Sequence, residues 1–213
     1  MDIHGLQKLT LLDFPGRVAC TVFLQGCDLR CPFCHNGGLV LGGMEPVTDD
    51  AGLLDFLKKR RGLLDGVAIT GGEPLLTPET PELCRRLLAL GFEVLIETNG
   101  SLPIAPLPAE VRKILDCKLP GSGMSGRNLY DNYALLQPHD EVKFVVSSRE
   151  DFDFALDVIR RYDLPGKTAN LLFSPVWGRV GFADLARWIV DAGAPGRMQL
   201  QLHKLIWGDK PGV

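Results

Sequence analysis

Short apolar runs that alternate with helix-type patterns limit the folds open to this chain more than any other feature of its sequence. The β-rich runs predict strands at 17–25, 66–70, 92–97, 111–117, 141–146 and 169–173. The helix-type patterns predict helices at 53–61, 78–90, 150–162 and 182–192. Strands that alternate with helices favour an α/β domain with a parallel sheet. About six such strands indicate a partial (β/α)6 barrel, because the closed form of this architecture has about eight.

Capping residues predict where the first two helices begin and end. Thr48, followed by the acids Asp49 and Asp50, predicts the start of the first helix. Thr77-Pro78 offers an N-cap and a first-turn proline for the second helix, which Gly91 closes.

Length, composition and charge are typical of one globular domain over residues 1–213. The chain is 46% hydrophobic and 23% charged, which is enough apolar material for a sizeable core. Its formal net charge of −3 is too small to indicate binding to nucleic acid or to a membrane surface. No apolar run reaches the roughly 18 residues that a membrane-spanning helix needs, and the first residues lack the features of a signal peptide. We therefore expect a cytoplasmic protein.

Three of the six cysteines are close together in the sequence, at Cys27, Cys31 and Cys34 in the loop 26–36. Such a thiol cluster in a reducing compartment is typical of a metal site. A four-iron cluster normally takes four thiolates. Three thiolates would leave one iron open to an outside ligand, and S-adenosylmethionine can bind there through its amino and carboxylate groups. The spacing therefore predicts a catalytic [4Fe–4S] cluster.

A zinc site is the main alternative that the cysteine spacing leaves open. Zinc would take His35 or Cys20 as a fourth ligand to complete a tetrahedral set. A zinc-binding or electron-transfer scaffold would be a non-enzymatic protein. The other isolated cysteines, Cys84 and Cys117, are interpreted with Cys20 as small buried hydrophobic residues.

A glycine-rich turn follows the second predicted strand and is the second motif of the sequence, after the cysteine loop. It comprises Gly71, Gly72, Glu73 and Pro74, and its glycines let the backbone approach a ligand closely. The cysteine loop and this turn together resemble the radical S-adenosylmethionine superfamily. The resemblance implies a radical S-adenosylmethionine barrel in which the cluster cleaves S-adenosylmethionine reductively to a 5′-deoxyadenosyl radical. It also implies that the turn binds the methionine amino group and that Phe33 lies near the adenine.

Further cofactor contacts are predicted at the ends of later strands, where such folds bind their ligands. ETNG at 97–100 resembles the end of the third strand of the superfamily, which places Glu97 and Asn99 near the cofactor. Lys118 and Ser174 are also predicted to contact it. As isolated residues, lysines such as Lys118 are more often surface charges, and Ser174 could cap a turn. Lys143 lies at a period-2 position in its predicted strand and could point toward the interior.

Two subfamily resemblances cover different parts of the chain. Residues 1–67 are similar to activating proteins of anaerobic ribonucleotide reductase, which take hydrogen from a glycine of a partner protein. Residues 68–213 are similar to 7-carboxy-7-deazaguanine synthase through LIETNGSLPI, ILDCKLPGSGM and LQLHKLIWGDKPGV. That family of lyases contracts the ring of 6-carboxy-5,6,7,8-tetrahydropterin on the route to queuosine. We expect the synthase-type reaction, with a glycyl-radical activase of oxidoreductase type as the alternative.

The chain departs from the synthase pattern in its first third. LLDFPG at 11–16 takes the place of a QGEG-like segment, and Phe23 stands where the family has an arginine. His35 and Asn36 replace an Asp-Thr pair whose threonine assists Mg²⁺. Substrate contacts or the need for Mg²⁺ are therefore expected to differ.

The C-terminal segment is the most specific part of the synthase resemblance. It implies a tail over 198–213 that covers the barrel mouth and brings Gln201, His203 and Val213 to the substrate. The alternation of apolar residues from Met198 also fits a last amphipathic strand. The resemblance further implies a reductant of the flavodoxin or ferredoxin type, and analogy suggests a homodimer.

Overall fold

The computed structural model describes residues 1–208, with every side chain except those of His203 and Trp207. Within that range the strands are β1 Asp2–Ile3, β2 Gly5–Thr10, β3 Ala19–Leu24, β4 Thr48–Asp49, β5 Gly66–Gly71, β6 Glu93–Thr98, β7 Arg112–Cys117, β8 Glu141–Val146, β9 Asn170–Pro175 and β10 Arg197–Met198. The α-helices are α1 Gly37–Val40, α2 Asp50–Lys58, α3 Thr80–Ala89, α4 Arg149–Arg161, α5 Phe182–Asp191 and α6 Leu202–Trp207. All six strands predicted from the sequence are therefore confirmed.

The chain forms two compact units, which are described separately below. Unit 1 comprises Met1–Arg30, Asn36–Thr98 and Leu102–Ile114. Unit 2 comprises Cys31–His35, Asn99–Ser101 and the described chain from Leu115 onward. A single domain over residues 1–213 stays a prediction.

The larger set of paired strands in unit 1 is parallel except at one edge, and β1 and β4 form a separate antiparallel pair. β3 pairs in parallel with β5, and β5 pairs in parallel with β6, while β2 runs antiparallel beside β3. Ala19 lies opposite Gly66, which in turn lies opposite Glu93. Because side chains alternate along a strand, this register lets us assign residues of all three strands to common faces.

One face of the unit 1 strands carries a small apolar core. Phe14, Ala19, Ala68, Leu95 and Ile114 form a buried cluster. The register places Phe23, Thr70 and Glu97 on this same face, at the carboxyl ends of their strands. The buried cluster and these three side chains therefore share one face of the strands.

Two helices supply apolar side chains to the interior of unit 1. Leu53 and Leu57 of α2 and Leu83 and Leu87 of α3 are at most 2% exposed. Burial of one leucine side chain contributes about 1.5–3 kcal/mol to folding. The helices are therefore held mainly by their buried leucines.

Unit 2 continues the parallel strands and packs its helices through aromatic rings. β8 pairs in parallel with β9, and β9 with β10. The Phe152 ring of α4 lies 5.4 Å from Phe173 of β9 and 6.0 Å from Trp188 of α5, measured between ring centroids. Since Lys143 and Ser174 lie on the opposite face of β8 and β9 from Phe173, both point away from the helices.

Most predicted helix positions are confirmed, but the predicted start of α3 is wrong. Asp49 caps α2 by accepting a hydrogen bond from the Gly52 amide at 2.7 Å. Helix α3 begins at Thr80 after Glu79, so Thr77 is not its N-cap. Thr77 instead ends a 3-10 turn over Pro74–Leu76. Pro74, the last residue of the glycine-rich turn, begins this 3-10 turn. Helix α3 therefore starts later than predicted.

Two connections and the C-terminal segment also differ from the predicted pattern. No α-helix lies between β6 and β7 or between β7 and β8 in the described chain, where loops and 3-10 turns make the connections. Strand β10 ends at Met198, and α6 follows at Leu202, so a continuous strand over 198–207 is wrong. Several apolar residues of this segment belong to α6, although their alternation at every second position indicated a strand. A tail over the barrel mouth stays a prediction.

None of the helices in residues 1–208 is long and apolar enough to cross a membrane.

Three cysteines belong to the interior, as expected. Cys20, Cys84 and Cys117 are at most 3% exposed. Burial raises the pKa of each thiol from 9.0 to about 12, because the thiolate would lose its hydration. These thiols are therefore poor nucleophiles and poor metal ligands at neutral pH.

We predict that iodoacetamide at pH 8 will modify Cys27, Cys31 and Cys34 in the folded, cluster-free protein and will spare the three buried cysteines. The buried thiols should react only after unfolding, which restores ordinary thiols that ionise near pH 9. Peptide mass spectrometry with and without urea measures this. Rapid alkylation of Cys84 in the folded protein would contradict the assignment of the core.

Candidate active site

The cysteine loop begins where β3 ends, and the neighbouring helix fixes its first residues. The Gly26 amide donates to the Leu39 carbonyl at 2.8 Å, and the Cys27 amide donates to the Val40 carbonyl at 3.2 Å. Leu39 and Val40 are buried residues of α1. Cys27 therefore leaves the strand at a defined position.

The glycine-rich turn lies directly on the start of this loop. The Gly72 amide donates to the Leu24 carbonyl at 2.8 Å, and the Glu73 amide donates to the Gly26 carbonyl at 2.7 Å. Gly71 has a φ of +120°, a conformation that residues with a Cβ rarely adopt. The backbone of the turn is thus hydrogen-bonded to the backbone that leads into Cys27.

The close approach of these two segments explains the second glycine. A Cβ at position 72 would lie 1.9 Å from the Gly26 carbonyl oxygen. No side chain can occupy that space without moving the turn away from the loop. Gly72 is therefore required for contact between backbones, whatever else the turn binds.

The Glu73 carboxylate is fully buried and helps to fold the turn. It accepts a hydrogen bond from the Leu75 amide at 2.9 Å. The Thr98 hydroxyl lies 2.9 and 3.0 Å from its two oxygens. The next residue, Pro74, accepts a hydrogen bond from the Thr80 hydroxyl at 2.7 Å. Glu73 and Pro74 therefore support the turn from inside, and their contact with the cofactor stays a prediction.

A side chain from the end of the cysteine loop reaches the same turn. The Asn36 amide group donates to the Gly71 carbonyl at 3.1 Å. The sequence resemblance predicts that Asn36 is a departure from the synthase pattern. In this chain the residue therefore joins the loop to the glycine-rich turn.

Glu97 lies in a polar row at the carboxyl ends of the unit 1 strands. The Thr70 hydroxyl donates to Glu97 Oε2 at 3.0 Å. Phe23 lies beside Thr70 in the register and, like both of them, is partly exposed. This row offers an aromatic ring, a hydroxyl and a carboxylate, and it has no basic group.

The remainder of the cysteine loop belongs to unit 2. The Cys34 amide donates to the Cys31 carbonyl at 3.2 Å, which forms a tight turn around Phe33. The Arg179 guanidinium lies over the Phe33 ring, 5.6 Å from its centroid. A cation over an aromatic face is attractive, so Arg179 holds the ring that we expect beside the adenine.

Asn99 and Gly100 form a turn that is closed by their neighbours. Asn99 Oδ1 accepts a hydrogen bond from the Ser101 amide at 2.8 Å. The Gly100 carbonyl accepts one from the Leu129 amide at 2.9 Å. Because Asn99 is 7% exposed, its side chain shapes the turn from inside.

Lys118 follows β7 and is held at both its backbone and its side chain. Its amide donates to Asn128 Oδ1 at 2.8 Å, and its carbonyl accepts from Asn128 Nδ2 at 2.8 Å. Its ammonium lies 2.7 Å from Asp116 Oδ2. With 15% of its side chain exposed, Lys118 is not the solvated surface charge that was its alternative explanation.

The remaining predicted site residues are less accessible or lie partly outside the described region. Ser174 is 1% exposed, in the middle of buried neighbours. Gln201 is partly exposed and precedes α6. His203 lies within α6, and Val213 lies outside the described residues. Roles for these four residues stay predictions.

The donor set fits an iron–sulfur cluster. Cys27 and Cys31 are partly exposed and Cys34 is exposed, whereas burial keeps the other three cysteines as thiols. The Leu29 amide points at Cys27 Sγ at 3.4 Å. Amide donors of this kind stabilise cluster sulfur ligands. In residues 1–208, no three histidine, cysteine, aspartate or glutamate side chains are already gathered as a metal site. The ligand assignment therefore stays a prediction from sequence and thiol chemistry.

Several residues of this region were missed by sequence reasoning. Thr98, Asn128 and Arg179 act through contacts with residues distant in sequence. Asn36 was noticed only as a departure from a pattern. Asp116 is different, since it shares a strand face with Lys118 two residues later, and that spacing could have indicated the pair.

Comparisons with known proteins identify the family of this chain and some of its relatives. The family model of the radical SAM superfamily matches residues 21–189. A 7-carboxy-7-deazaguanine synthase from Koribacter versatilis is 39% identical over 199 residues, covering 87% of each chain. A putative glycyl-radical enzyme activating enzyme from Methanocaldococcus jannaschii is 36% identical over 107 residues, covering 47% of this chain and 41% of that protein.

The fold is also similar to that of a solved structure. The crystal structure of QueE from Escherichia coli matches with a TM-score of 0.65 at 20% identity, covering 94% of this chain and 93% of that one. This likeness confirms the α/β partial barrel predicted from the alternation of strands and helices. The family match and the long synthase alignment identify the relationship: this chain belongs to the 7-carboxy-7-deazaguanine synthase family of the radical SAM superfamily.

Proposed function

We propose that this protein is a lyase of the 7-carboxy-7-deazaguanine synthase type, which contracts the ring of 6-carboxy-5,6,7,8-tetrahydropterin on the route to queuosine. The observation that carries the proposal is the hydrogen bond from the Glu73 amide to the Gly26 carbonyl at 2.7 Å. This hydrogen bond joins the glycine-rich turn to the start of the cysteine loop, and the chain belongs to the synthase family. In this proposal both motifs would act as one cofactor-binding unit.

The residues of the chain have distinct roles in this proposal. Cys27, Cys31 and Cys34 would hold the [4Fe–4S] cluster. When bound, the cluster and S-adenosylmethionine supply the radical that removes a hydrogen atom from the substrate. Gly71 and Gly72 would present their backbone to the methionine part. The ring of Phe33, with Arg179 over it, would lie beside the adenine.

The compartment and the partners that we expect for the enzyme follow from its chemistry. Thiolate ligands and a reduced cluster require a reducing compartment, so we expect the cytoplasm. The electron would come from a protein of the flavodoxin or ferredoxin type. A homodimer is expected by analogy with other synthases. We expect neither nucleic acid nor a membrane as a partner.

A glycyl-radical activase is the second candidate function. The observation that favours it is the 107-residue likeness to a putative activating enzyme, which covers under half of this chain. Such an enzyme would take hydrogen from a glycine of a partner protein. The two candidates share the cofactor and differ in substrate, so one assay distinguishes them.

We predict that the anaerobically reconstituted protein, given dithionite, S-adenosylmethionine and 6-carboxytetrahydropterin, will form 5′-deoxyadenosine and the carboxylated deazaguanine together. Mass spectrometry measures both products, and a Cys31→Ala variant that cannot complete the cluster is the control. Deoxyadenosine without the deazaguanine would reject this substrate and favour the activase.

We predict that Gly72→Ala will lower the rate of deoxyadenosine formation by about a hundredfold, since a misplacement of about 1 Å can have that effect. The added Cβ would clash with the Gly26 carbonyl and push the turn from the loop. Gly38→Ala is the matched control, because a Cβ there meets no atom within 4 Å. Equal rates in the two variants would show that the close contact is unimportant.

We also propose that the reaction depends less on Mg²⁺ than it would with the Asp-Thr pair of the family. His35 and Asn36 stand in that place, and Asn36 is engaged with the Gly71 carbonyl. The rate in magnesium-free buffer should change little when Mg²⁺ is added, whereas a His35→Asp/Asn36→Thr variant should be stimulated. Strong stimulation of the unaltered protein would contradict this expectation.

A further inference from the structure

Side chains on one face of the unit 1 strands lie in layers that differ in exposure. The register of β3, β5 and β6 places three buried side chains, each at most 1% exposed, in one core layer: Thr21, Ala68 and Leu95. The next layer toward the carboxyl ends is the polar row, whose members are all partly exposed: Phe23, Thr70 and Glu97. The packed core of this face therefore ends below the polar row, and a ligand that enters from the carboxyl ends meets the row first.

The polar row also adjoins the cysteine loop. Phe23 is the next-to-last residue of β3, which ends at Leu24 just before the loop begins. The Glu73 amide donates to the Gly26 carbonyl at 2.7 Å, so the glycine-rich turn lies at the same strand end. Parallel sheets bind their ligands just beyond the carboxyl ends of their strands. A substrate of the predicted cluster is therefore expected at the polar row.

The Phe23 ring is supported by an edge strand. Gly5 of β2 lies opposite Phe23. A Cβ at position 5 would lie 3.1 Å from both Cβ and Cδ2 of Phe23, closer than the roughly 3.5–4.0 Å at which carbon atoms attract one another. Since position 5 is glycine, the ring can lie against the backbone of β2, a contact by which aromatic residues stabilise glycines in strands. The ring therefore has a defined position above the core layer.

The polar row combines two groups that recognise a planar heterocycle. The Thr70 hydroxyl donates to Glu97 Oε2 at 3.0 Å, and a carboxylate can accept several further hydrogen bonds. A carboxylate binds N–H groups and repels another carboxylate. An aromatic ring attracts the face of a second ring by offset stacking. The row therefore fits a planar ring with N–H groups at its edge, and it disfavours a ligand carboxylate.

We propose that Phe23 is a specificity-determining residue that stacks on a planar, N–H-bearing ring of the substrate, with the substrate carboxylate turned away from the polar row. The inference rests on the proposed function, which supplies such a ring in the pyrimidinone half of 6-carboxytetrahydropterin. The amino group and ring N–H of that half face Glu97. The adenine of S-adenosylmethionine has similar chemistry, and the experiments below distinguish the two rings.

The first test measures binding of tetrahydropterin, with and without its 6-carboxylate, to the anaerobically reconstituted protein that holds S-adenosylmethionine. Phe23→Leu should weaken binding of both pterins about tenfold, because a base-type ring loses an aromatic stacking partner. Phe23→Tyr, which keeps the ring, should recover most of this binding. Equilibrium dialysis gives the dissociation constants. Unchanged binding in Phe23→Leu, or no binding of either pterin to the unaltered protein, would overturn the proposal.

Phe56→Leu is the matched control for this substitution. Phe56 is also a partly exposed phenylalanine of unit 1, but it lies on α2, with the Arg60 guanidinium 5.4 Å from its ring centroid. The control variant should bind both pterins as the unaltered protein does. An equal loss of binding in Phe56→Leu would show a general effect of removing a ring and would reject the assignment to Phe23.

The second test moves the Phe23 ring without removing it. Gly5→Ala places a Cβ against the ring and should weaken binding of both pterins several-fold, whereas a Cβ in Gly37→Ala meets no atom within 4 Å and should have no effect. In a Phe23→Leu background, Gly5→Ala should cause no further loss, because it acts through the ring. Losses that multiply in the double variant would contradict this role. If Phe23→Leu does not fold, Phe23→Met takes its place in both tests.

The orientation of the ligand is tested through the charge of Glu97. Glu97→Gln should weaken binding of both pterins by a similar factor, because a neutral amide accepts N–H groups less strongly than a carboxylate does. Tighter binding of the carboxylated pterin alone would show that repulsion had been relieved. The ligand carboxylate would then face the polar row, contrary to the proposal.

The source of the stacked ring is identified by the cofactor. Phe23→Leu should leave binding of S-adenosylmethionine to the reconstituted protein unchanged while it weakens binding of the pterins. The reverse result would assign the ring to adenine and would overturn the proposal.

Formation of the deazaguanine is measured separately, so the stacking role and the proposed reaction can fail independently. Pterin binding that depends on Phe23 without formation of the deazaguanine would support the stacking role and reject the reaction. Formation of the deazaguanine by a protein whose pterin binding is insensitive to Phe23→Leu would support the reaction and reject the stacking role.

Discussion

The hydrogen bonds between the glycine-rich turn and the end of β3 are the constraint on which the candidate site depends. The amides of Gly72 and Glu73 donate to the carbonyls of Leu24 and Gly26, immediately before Cys27. They bring two backbones so close that position 72 has no space for a Cβ. The position of Cys27 is therefore set by parallel pairing of β3 with β5, and the turn and the backbone at 24–26 are held together.

The turn also shows that the carboxylate of a predicted ligand motif can serve the fold. The Glu73 carboxylate is fully buried and is bonded to the Leu75 amide and the Thr98 hydroxyl. Its side chain links β5 to β6, so the motif fixes the spacing of neighbouring strand ends. Asn36 extends the same connection to the far side of the cysteine loop. The carboxylate that looks most like a ligand group in the sequence is thus part of the support for the backbone.

The sequence predicted the buried strands well and the contacts between distant residues poorly. β8 was predicted with its correct bounds because EVKFVV is a continuous apolar-rich run between loops. β2 was missed because it is an edge strand whose exposed residues carry no clear pattern. The start of α3 was misplaced because Pro74 begins a 3-10 turn that competes with Thr77 as a helix start. Contacts such as Arg179 with Phe33 depend on tertiary packing, which no local pattern contains.

The charge at the strand ends of unit 1 bears on where a carboxylated ligand can bind. The row formed by Phe23, Thr70 and Glu97 has no basic group, and the sequence resemblance predicts that Phe23 replaces an arginine of the synthase family. A carboxylated substrate at this row would meet the Glu97 carboxylate without a compensating cation, and like charges at short distance disfavour binding. The carboxylate of such a ligand is therefore expected to lie away from this row.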